Sequence, residues 1–431
     1  MELYDLFLEH PQVTTDSRDY RPGSIFFALK GEHFNANEFA AKALENGCAY
    51  AVVEDAAYAR DDRYIVVKDV LKALQELATR HRIEMGTKII GITGTNGKTT
   101  TKELIASVLQ QKYKLLYTKG NLNNHIGVPL TLLQLKPEHQ LAVIEMGANH
   151  QGEIRALCEI ARPDFGLITN VGKAHLEGFG SFEGVIKAKG ELYEYVANNG
   201  LGIFINIDND LLNGIAEKYH IPEAKQVTYS IKKHPDLSMV TCKVVSSDPF
   251  LTLECQTGST FNMQTKLVGS YNTENVLAAI TTGHFFGLKN SQIQIGIEQY
   301  EPQNNRSQLT VSDKNSLIVD AYNANPTSMQ VAIENFARMV GEHKMLILGD
   351  MRELGDYSLK EHQAIVDLLK EKGFQEVLLT GTEFARTTHP YKSFQNIDEL
   401  YAHLERYPVK DKTILIKGSR GIQLEKIISL I

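Results

Sequence analysis

Gly91-Ile92-Thr93-Gly94-Thr95-Asn96-Gly97-Lys98-Thr99-Thr100-Thr101-Lys102-Glu103 lies where a hydrophobic strand, Lys88 to Thr93, gives way to a helix. Beyond it Leu104, Ile105, Val108 and Leu109 recur at helical spacing on one stripe. Glycines at 94 and 97 let backbone N–H groups close around phosphate oxygens, Lys98 supplies a point charge, and the Thr99 hydroxyl suits a magnesium ion. Ile92 stands where the common P-loop has its first glycine, so this is a shorter Gly94-x-x-Gly97-Lys98-Thr99 form. Thr95, Asn96 and Thr100 complete the predicted nucleotide loop.

Outward from the loop, 431 residues at roughly 150 per domain predict about three domains. A net charge of -7 argues against a general nucleic-acid or membrane-surface binder, so anion binding must come from particular pockets. Cys48, Cys158, Cys242 and Cys255 form no Cys-x-x-Cys pair, which predicts reduced, structural thiols. The opening residues carry Glu2, Asp5 and Glu9 with no basic or apolar run, and no apolar stretch of 18 residues follows. A cytoplasmic protein without membrane insertion is expected, with monomer as the default state.

The pattern along the chain predicts an α/β protein of three domains. Residues 1–85 alternate strand-like runs (Ile25 to Leu29, Ala49 to Val53, Tyr64 to Val67) with helical ones (Asn37 to Asn46, Val70 to Glu84), a small N-terminal α/β unit. Residues 86–303 continue from the P-loop into apolar strands Leu141 to Ile144, Gly166 to Thr169 and Gly202 to Asn206, the signature of a parallel ATPase-like sheet with crossover helices. Short alternating runs between Gln226 and Val268 predict an antiparallel insert, and Glu301-Pro302-Gln303-Asn304-Asn305 a hinge. Residues 304–431 repeat the buried-strand pattern (Leu317 to Val319, Met345 to Leu348, Val377 to Leu379, Ile414 to Ile416), a second doubly wound, Rossmann-like unit. In such sheets ligands belong at the strands' carboxyl ends.

Glu145 ends a strand and is followed by Met146-Gly147-Ala148, which suits a second magnesium ligand or an ordinary solvated carboxylate. His175, just past another strand end, is by itself more readily structural than a ligand. At 100° per residue Lys189 falls about 40° from Val185 and about 60° from Leu192, inside an apolar stripe, whereas Lys187 has Glu183 and Glu191 four residues away. Desolvation would leave Lys189 a neutral amine open to chemistry or modification; the alternative is snorkelling to the helix edge.

The order of these pieces resembles the Mur ligase family nearly end to end. The resemblance rests on Thr15-Asp16-Ser17-Arg18, Phe26 to Gly31, Thr93 to Thr99, Gly120 to Leu130, Glu145 to Ala148, Ala174 to Gly180 running on to Ala188-Lys189-Gly190-Glu191, Asp320 to Pro326, Leu348 to Met351, and Lys417 to Arg420. It implies an ATP-dependent ligase joining D-alanyl-D-alanine to UDP-N-acetylmuramoyl-tripeptide through an acyl phosphate. It also implies that Lys98 holds the β/γ phosphates, that Thr99 and Glu145 hold one Mg2+, and that His175 with a carbamylated Lys189 holds a second; Lys98, His175 and Lys189 would be the catalytic residues. Asn272, Asn275, Arg306 and Asp320 would contact the nucleotide, Asp16, Ser17 and Arg18 the uridine moiety, and Asn323 and Asn325 the dipeptide. Capping of a helix by the two asparagines, a solvated hinge charge for Arg306, and a turn with a helix-cap role for Asp16, Ser17 and Arg18 are the plain alternatives.

The chain departs from the family at Asn35-Ala36-Asn37, where Asp-Gly-His is usual, and at Tyr271, where a histidine is usual. Thr327 after Asn325-Pro326 leaves no Asp-Asn-Pro-Arg motif of the diaminopimelate- or lysine-adding ligases. Folate polyglutamate ligases would leave residues 1–85 unexplained, and a non-catalytic ATP switch would form no amide.

Overall fold

The computed structural model describes residues 2–31, 33–232, 238–302, 308–341 and 343–431. Three larger sheets follow one another along the chain. In the first, Val13–Thr14, Ile25–Phe27, Tyr50–Val53 and Tyr64–Val66 pair in parallel in that order. Ile25, Phe26 and Phe27 are all buried, as expected of a parallel strand covered on both faces. The helix Val70–Met85 starts where the Asp69 side chain accepts from the Lys72 amide and stops at Gly86 in a left-handed conformation. The helical run expected over 37–46 is divided into a 3-10 turn, Ala36–Phe39, and a helix, Ala40–Glu45.

The middle sheet has nine strands, in the order Ser259–Val268, Phe250–Thr257, Val240–Ser247, Gln226–Ser230, Gly202–Asn206, Phe165–Ile168, Lys88–Thr93, Leu141–Glu145 and Leu115–Tyr117. Lys88–Thr93 therefore lies inside the sheet, between two parallel partners. On one face the helix Lys98–Leu109 packs Leu104, Ile105 and Val108 with Val276 and Ile280 of Thr273–Phe285. On the other, Val185, Leu192 and Val196 of Phe182–Asn199 join Ile154 and Leu157 of Glu153–Ala161.

Two expectations are corrected here. The region from Gln226 to Val268 is no separate insert: Gln226–Ser230 and Val240–Ser247 extend the sheet in parallel, and only the last two strand pairings are antiparallel. Cys242 and Cys255 are direct cross-strand partners with Cα atoms 4.1 Å apart, and their sulfurs are bonded rather than free. Cys48 and Cys158 remain free and buried.

The third sheet orders Gln308–Val311, Ser316–Asp320, Thr413–Lys417, Lys344–Gly349, Val377–Thr380 and Lys392–Phe394, all parallel except the first. Returning Thr413–Lys417 between Ser316–Asp320 and Lys344–Gly349 makes neighbouring strands exit toward opposite faces, and a crevice opens at their carboxyl ends. Of the expected hinge, residues 303–307 lie outside the described residues.

Candidate active site

The loop after Lys88–Thr93 requires its glycines. Gly94 has φ 145° and Gly97 φ 78°, conformations that L side chains rarely adopt. A Cβ on Gly94 would lie 2.0 Å from Thr169 Oγ1, and one on Gly97 2.5 Å from Asn275 Oδ1. Lys98 donates to the Gly94 and Thr95 carbonyls at 2.7 and 3.0 Å, which holds its ammonium over the loop.

Glu145 is 1% exposed at its strand end. Its carboxylate accepts from Thr99 Oγ1 (3.0 and 3.2 Å) and from Asn123 Nδ2 (2.8 Å), while its amide donates to the Thr118 hydroxyl. The fully buried Lys102 brings its ammonium within 3.8 Å of Glu145 and 2.9 Å of Glu103. Sequence reasoning assigned nothing to Asn123 or Lys102. The signal for Lys102 was its place four residues after Lys98, one helical turn along the same face.

Lys189 is 2% exposed and so does not snorkel. Its Nζ stands 5.2 Å from the Phe179 ring centroid. Burial, seconded by the charge of Lys98, brings its pKa down from the ordinary 10.5 to about 7. His175 packs edge-on against the same Phe179 ring, at 6.3 Å between centroids. Its Nδ1 faces Glu353, in the loop after Lys344–Gly349 of the third sheet, and this contact holds the Glu353 carboxyl below its usual range. Glu191 is not the solvated partner of Lys187: it is buried and accepts from the Gly152 and Arg155 amides at the start of Glu153–Ala161.

Asn272 and Asn275 form a buried chain rather than a helix cap. Asn272 donates to the Val268 carbonyl and accepts from Asn275, which accepts from the Thr101 hydroxyl. No side-chain cap comes from Asn272. In the third sheet Asp320 pairs with buried Lys417 at 2.6 Å, and Lys417 also donates to the Asn323 carbonyl. Asn325 caps the helix Pro326–Arg338 and donates to Asn96 Oδ1 at 2.8 Å, tying that helix to the phosphate loop.

A cavity of about 770 Å3 joins these elements. Its walls include Thr95, Asn96, Gly97, Lys98, Thr99 and Thr100 from the loop, Glu145 and His175 from neighbouring strand ends, Asn272, Asn275 and Tyr271 opposite, and Asp320 and Asn323 from the third sheet. Gly94, Lys189 and Asn325 lie behind this lining rather than in it. Asp16, Ser17 and Arg18 are not brought into it either. Arg18 clasps Asp16 through two guanidinium nitrogens on the exposed surface of the first unit and depresses its pKa to about 2. Of the two departures, Asn37 is buried and accepts from the Glu54 amide, whereas Tyr271 lines the cavity. Arg306 lies outside the described residues. Among those described, no three His, Cys, Asp or Glu residues group into a metal cluster. The oxygen pair of Thr99 and Glu145 has the hard-donor chemistry that Mg2+ takes.

Three family models match in succession: "Mur ligase family, catalytic domain" over residues 11–82, "Mur ligase middle domain" over 92–283, and "Mur ligase, glutamate ligase domain" over 305–420. The chain is 36% identical over 427 residues to the UDP-N-acetylmuramoyl-tripeptide–D-alanyl-D-alanine ligase of Escherichia coli (strain K12), spanning 96% of this chain and 92% of that one. It is 34% identical to the enzyme of the same name from Bacillus subtilis (strain 168), with 96% and 92% covered. Among solved structures, MurF from Acinetobacter baumannii superposes with a TM-score of 0.86 at 32% identity, covering 97% of this chain and 92% of that one. MurF ligase from Thermotoga maritima, in complex with ADP, shares the fold at a TM-score of 0.87 and 24% identity, with 100% and 98% covered.

Proposed function

The chain belongs to the Mur ligase family, and from that premise we propose that it joins D-alanyl-D-alanine to UDP-N-acetylmuramoyl-tripeptide at the expense of ATP, in peptidoglycan precursor synthesis. The tripeptide's terminal carboxylate takes the γ-phosphoryl group and releases ADP. The dipeptide amine then attacks the acyl carbon, forming the amide as phosphate and a proton leave.

One observation carries the reading: the phosphate loop, Glu145, His175 and the Asp320 edge of a different sheet open into one cavity. Bringing a carboxylate to a triphosphate sets two anions together, so the site needs positive charge more than a nucleophilic side chain. Lys98 would neutralise the β/γ phosphates, its present carbonyl partners being exchangeable for phosphate oxygens. Thr99 and Glu145 would hold one Mg2+, which supplies charge neutralisation and orients the phosphates. His175 and Lys189 would hold a second. An amine with a pKa near 7 is partly uncharged at neutrality, the form that reacts with carbon dioxide, so Lys189 suits a carbamate. Asn272, Asn275, Arg306 and Asp320 would receive the nucleotide, Asp16, Ser17 and Arg18 the uridine end, and Asn323 and Asn325 the dipeptide.

Three functional domains, 1–85, 86–303 and 304–431, would collect the three substrates and close around a hydrolysable intermediate. No described helix is long and apolar enough to cross a membrane. The enzyme would work in the cytoplasm as a monomer. A panel of UDP-muramoyl peptides and amines, incubated with ATP and Mg2+ and scored by product mass, tests the reading. Phosphate release that requires both peptide substrates and yields an amide supports it; ATP hydrolysis without amide formation overturns it.

A further inference from the structure

His175 and Glu353 are both non-glycine residues in left-handed conformations, with φ 51° and 63°, and their side chains meet. Such backbone persists where surrounding structure over-determines it, and it gathers at functional sites. On the Glu353 side the supports are explicit. The Met351 amide donates to His362 Nε2, the Arg352 amide to Ser419 Oγ, and Leu354 is 1% exposed. The Glu353 carbonyl accepts from the Glu177 amide, and Gly355 lies against the Glu177 side chain. The segment that carries the carboxylate is thus fixed to the third sheet and braced against the short helix that follows His175.

Imidazole has two nitrogens, and when Nδ1–H is donated the lone pair sits on Nε2. Metal-ligating histidines are held in this way by a carboxylate, which fixes both tautomer and ring orientation. Glu353 meets Nδ1, and His175 lines the cavity beside the phosphate loop. The carboxylate and the imidazole come from opposite sides of the 301–305 segment, from different sheets.

We propose that Glu353 is a positioning residue for His175: it accepts Nδ1–H, presents Nε2 to the second metal position, and does so only while the third unit is docked on the middle one. This rests on the proposed ligase reading. Its consequence is that the metal site is complete only in the closed enzyme, so acyl transfer waits on closure.

The competing explanation is a simple interdomain latch, and the neighbouring Lys173–Glu361 ion pair at 2.8 Å supplies the control. The experiment titrates Mn2+ into the full chain with ADP, followed by electron paramagnetic resonance, for wild type, Glu353→Ala, Glu353→Gln and Lys173→Ala. Alongside it, kcat and KM for ligation are measured. Glu353→Ala is expected to weaken one of the Mn2+ sites by about tenfold or more and to lower kcat rather than raise KM. Glu353→Gln, whose amide oxygen still accepts from Nδ1–H, is expected to recover much of the affinity. Lys173→Ala leaves Mn2+ affinity unchanged. Wild-type Mn2+ binding in Glu353→Ala, or an equal loss in Lys173→Ala, overturns the inference while wild-type ligation stands. Failure of the wild type to form the amide would instead remove the ligase reading.

Discussion

The Thr99 hydroxyl lies 3.0 Å from one Glu145 carboxylate oxygen and 3.2 Å from the other. A helix start and the end of an adjacent parallel strand therefore converge on one point at the mouth of the middle sheet. As the proposed ligands of one Mg2+, the two would act as a unit, so their removals should not be additive. Thr99→Val and Glu145→Gln are each expected to lower kcat/KM by about 100-fold, nearly 3 kcal/mol at 1.36 kcal/mol per tenfold. The double variant should lose little more than the worse single one. A multiplicative loss in steady-state kinetics at saturating Mg2+ would separate the two residues.

Lys189 makes a prediction whose sign follows from burial. Its pKa is about 7 in the folded chain against an ordinary 10.5, so between these values the unfolded chain binds the proton more tightly. The destabilisation it causes is full below pH ~7 and fades as pH rises toward ~10.5. Lys189→Met is therefore expected to raise Tm, more near pH ~6 than near pH ~10, while abolishing ligation. Ligation by the wild type should fall as pH drops through 7 and respond to added bicarbonate. Turnover near normal in Lys189→Ala, with or without bicarbonate, removes the carbamate.

Which features were legible in the sequence follows from how local their signals are. Lys88–Thr93 and Gly202–Asn206 are apolar runs bounded by turn residues, and both are found with the expected limits. Burial of Lys189 was open to a helical-wheel argument because a helix's period is fixed. The strand Leu115–Tyr117 passed unnoticed: three half-buried residues carry no alternation. Cys242 and Cys255 are paired by hairpin register, and thirteen positions of separation say nothing about register. Glu191 shows the limit of spacing arguments. Its four-residue offset from Lys187 suggested a surface pair, yet it turns inward to cap another helix. Glu353 meets His175 only through the docking of two sheets, which no local pattern encodes.

Gly94 is the loop position least able to change. With φ 145° and a Cβ that would stand 2.0 Å from Thr169 Oγ1, alanine meets both backbone strain and a collision with a hydroxyl that donates to the Asn96 carbonyl. Gly94→Ala is expected to cost about 2 kcal/mol or more in stability and to lose ADP binding by calorimetry. Adding Thr169→Ala should relieve the collision but leave the strain, so recovery should be partial. Full recovery would show that φ at 94 is not the constraint.

Asp320 has two reasons to matter, and they can be separated. It lines the cavity, and it neutralises Lys417, whose side chain is 2% exposed and whose ammonium lies 2.6 Å away. Removing one partner of a buried pair strands the other charge, so Asp320→Ala is expected to cost about 3 kcal/mol in denaturant unfolding, apart from any effect on nucleotide. Replacing both partners, Asp320→Asn with Lys417→Met, leaves no unpaired ammonium and should recover most of that stability. If Asp320 contacts the nucleotide, KM for ATP stays raised in the refolded double variant. A double variant that regains both stability and the wild-type KM would reduce Asp320 to a counter-ion for Lys417.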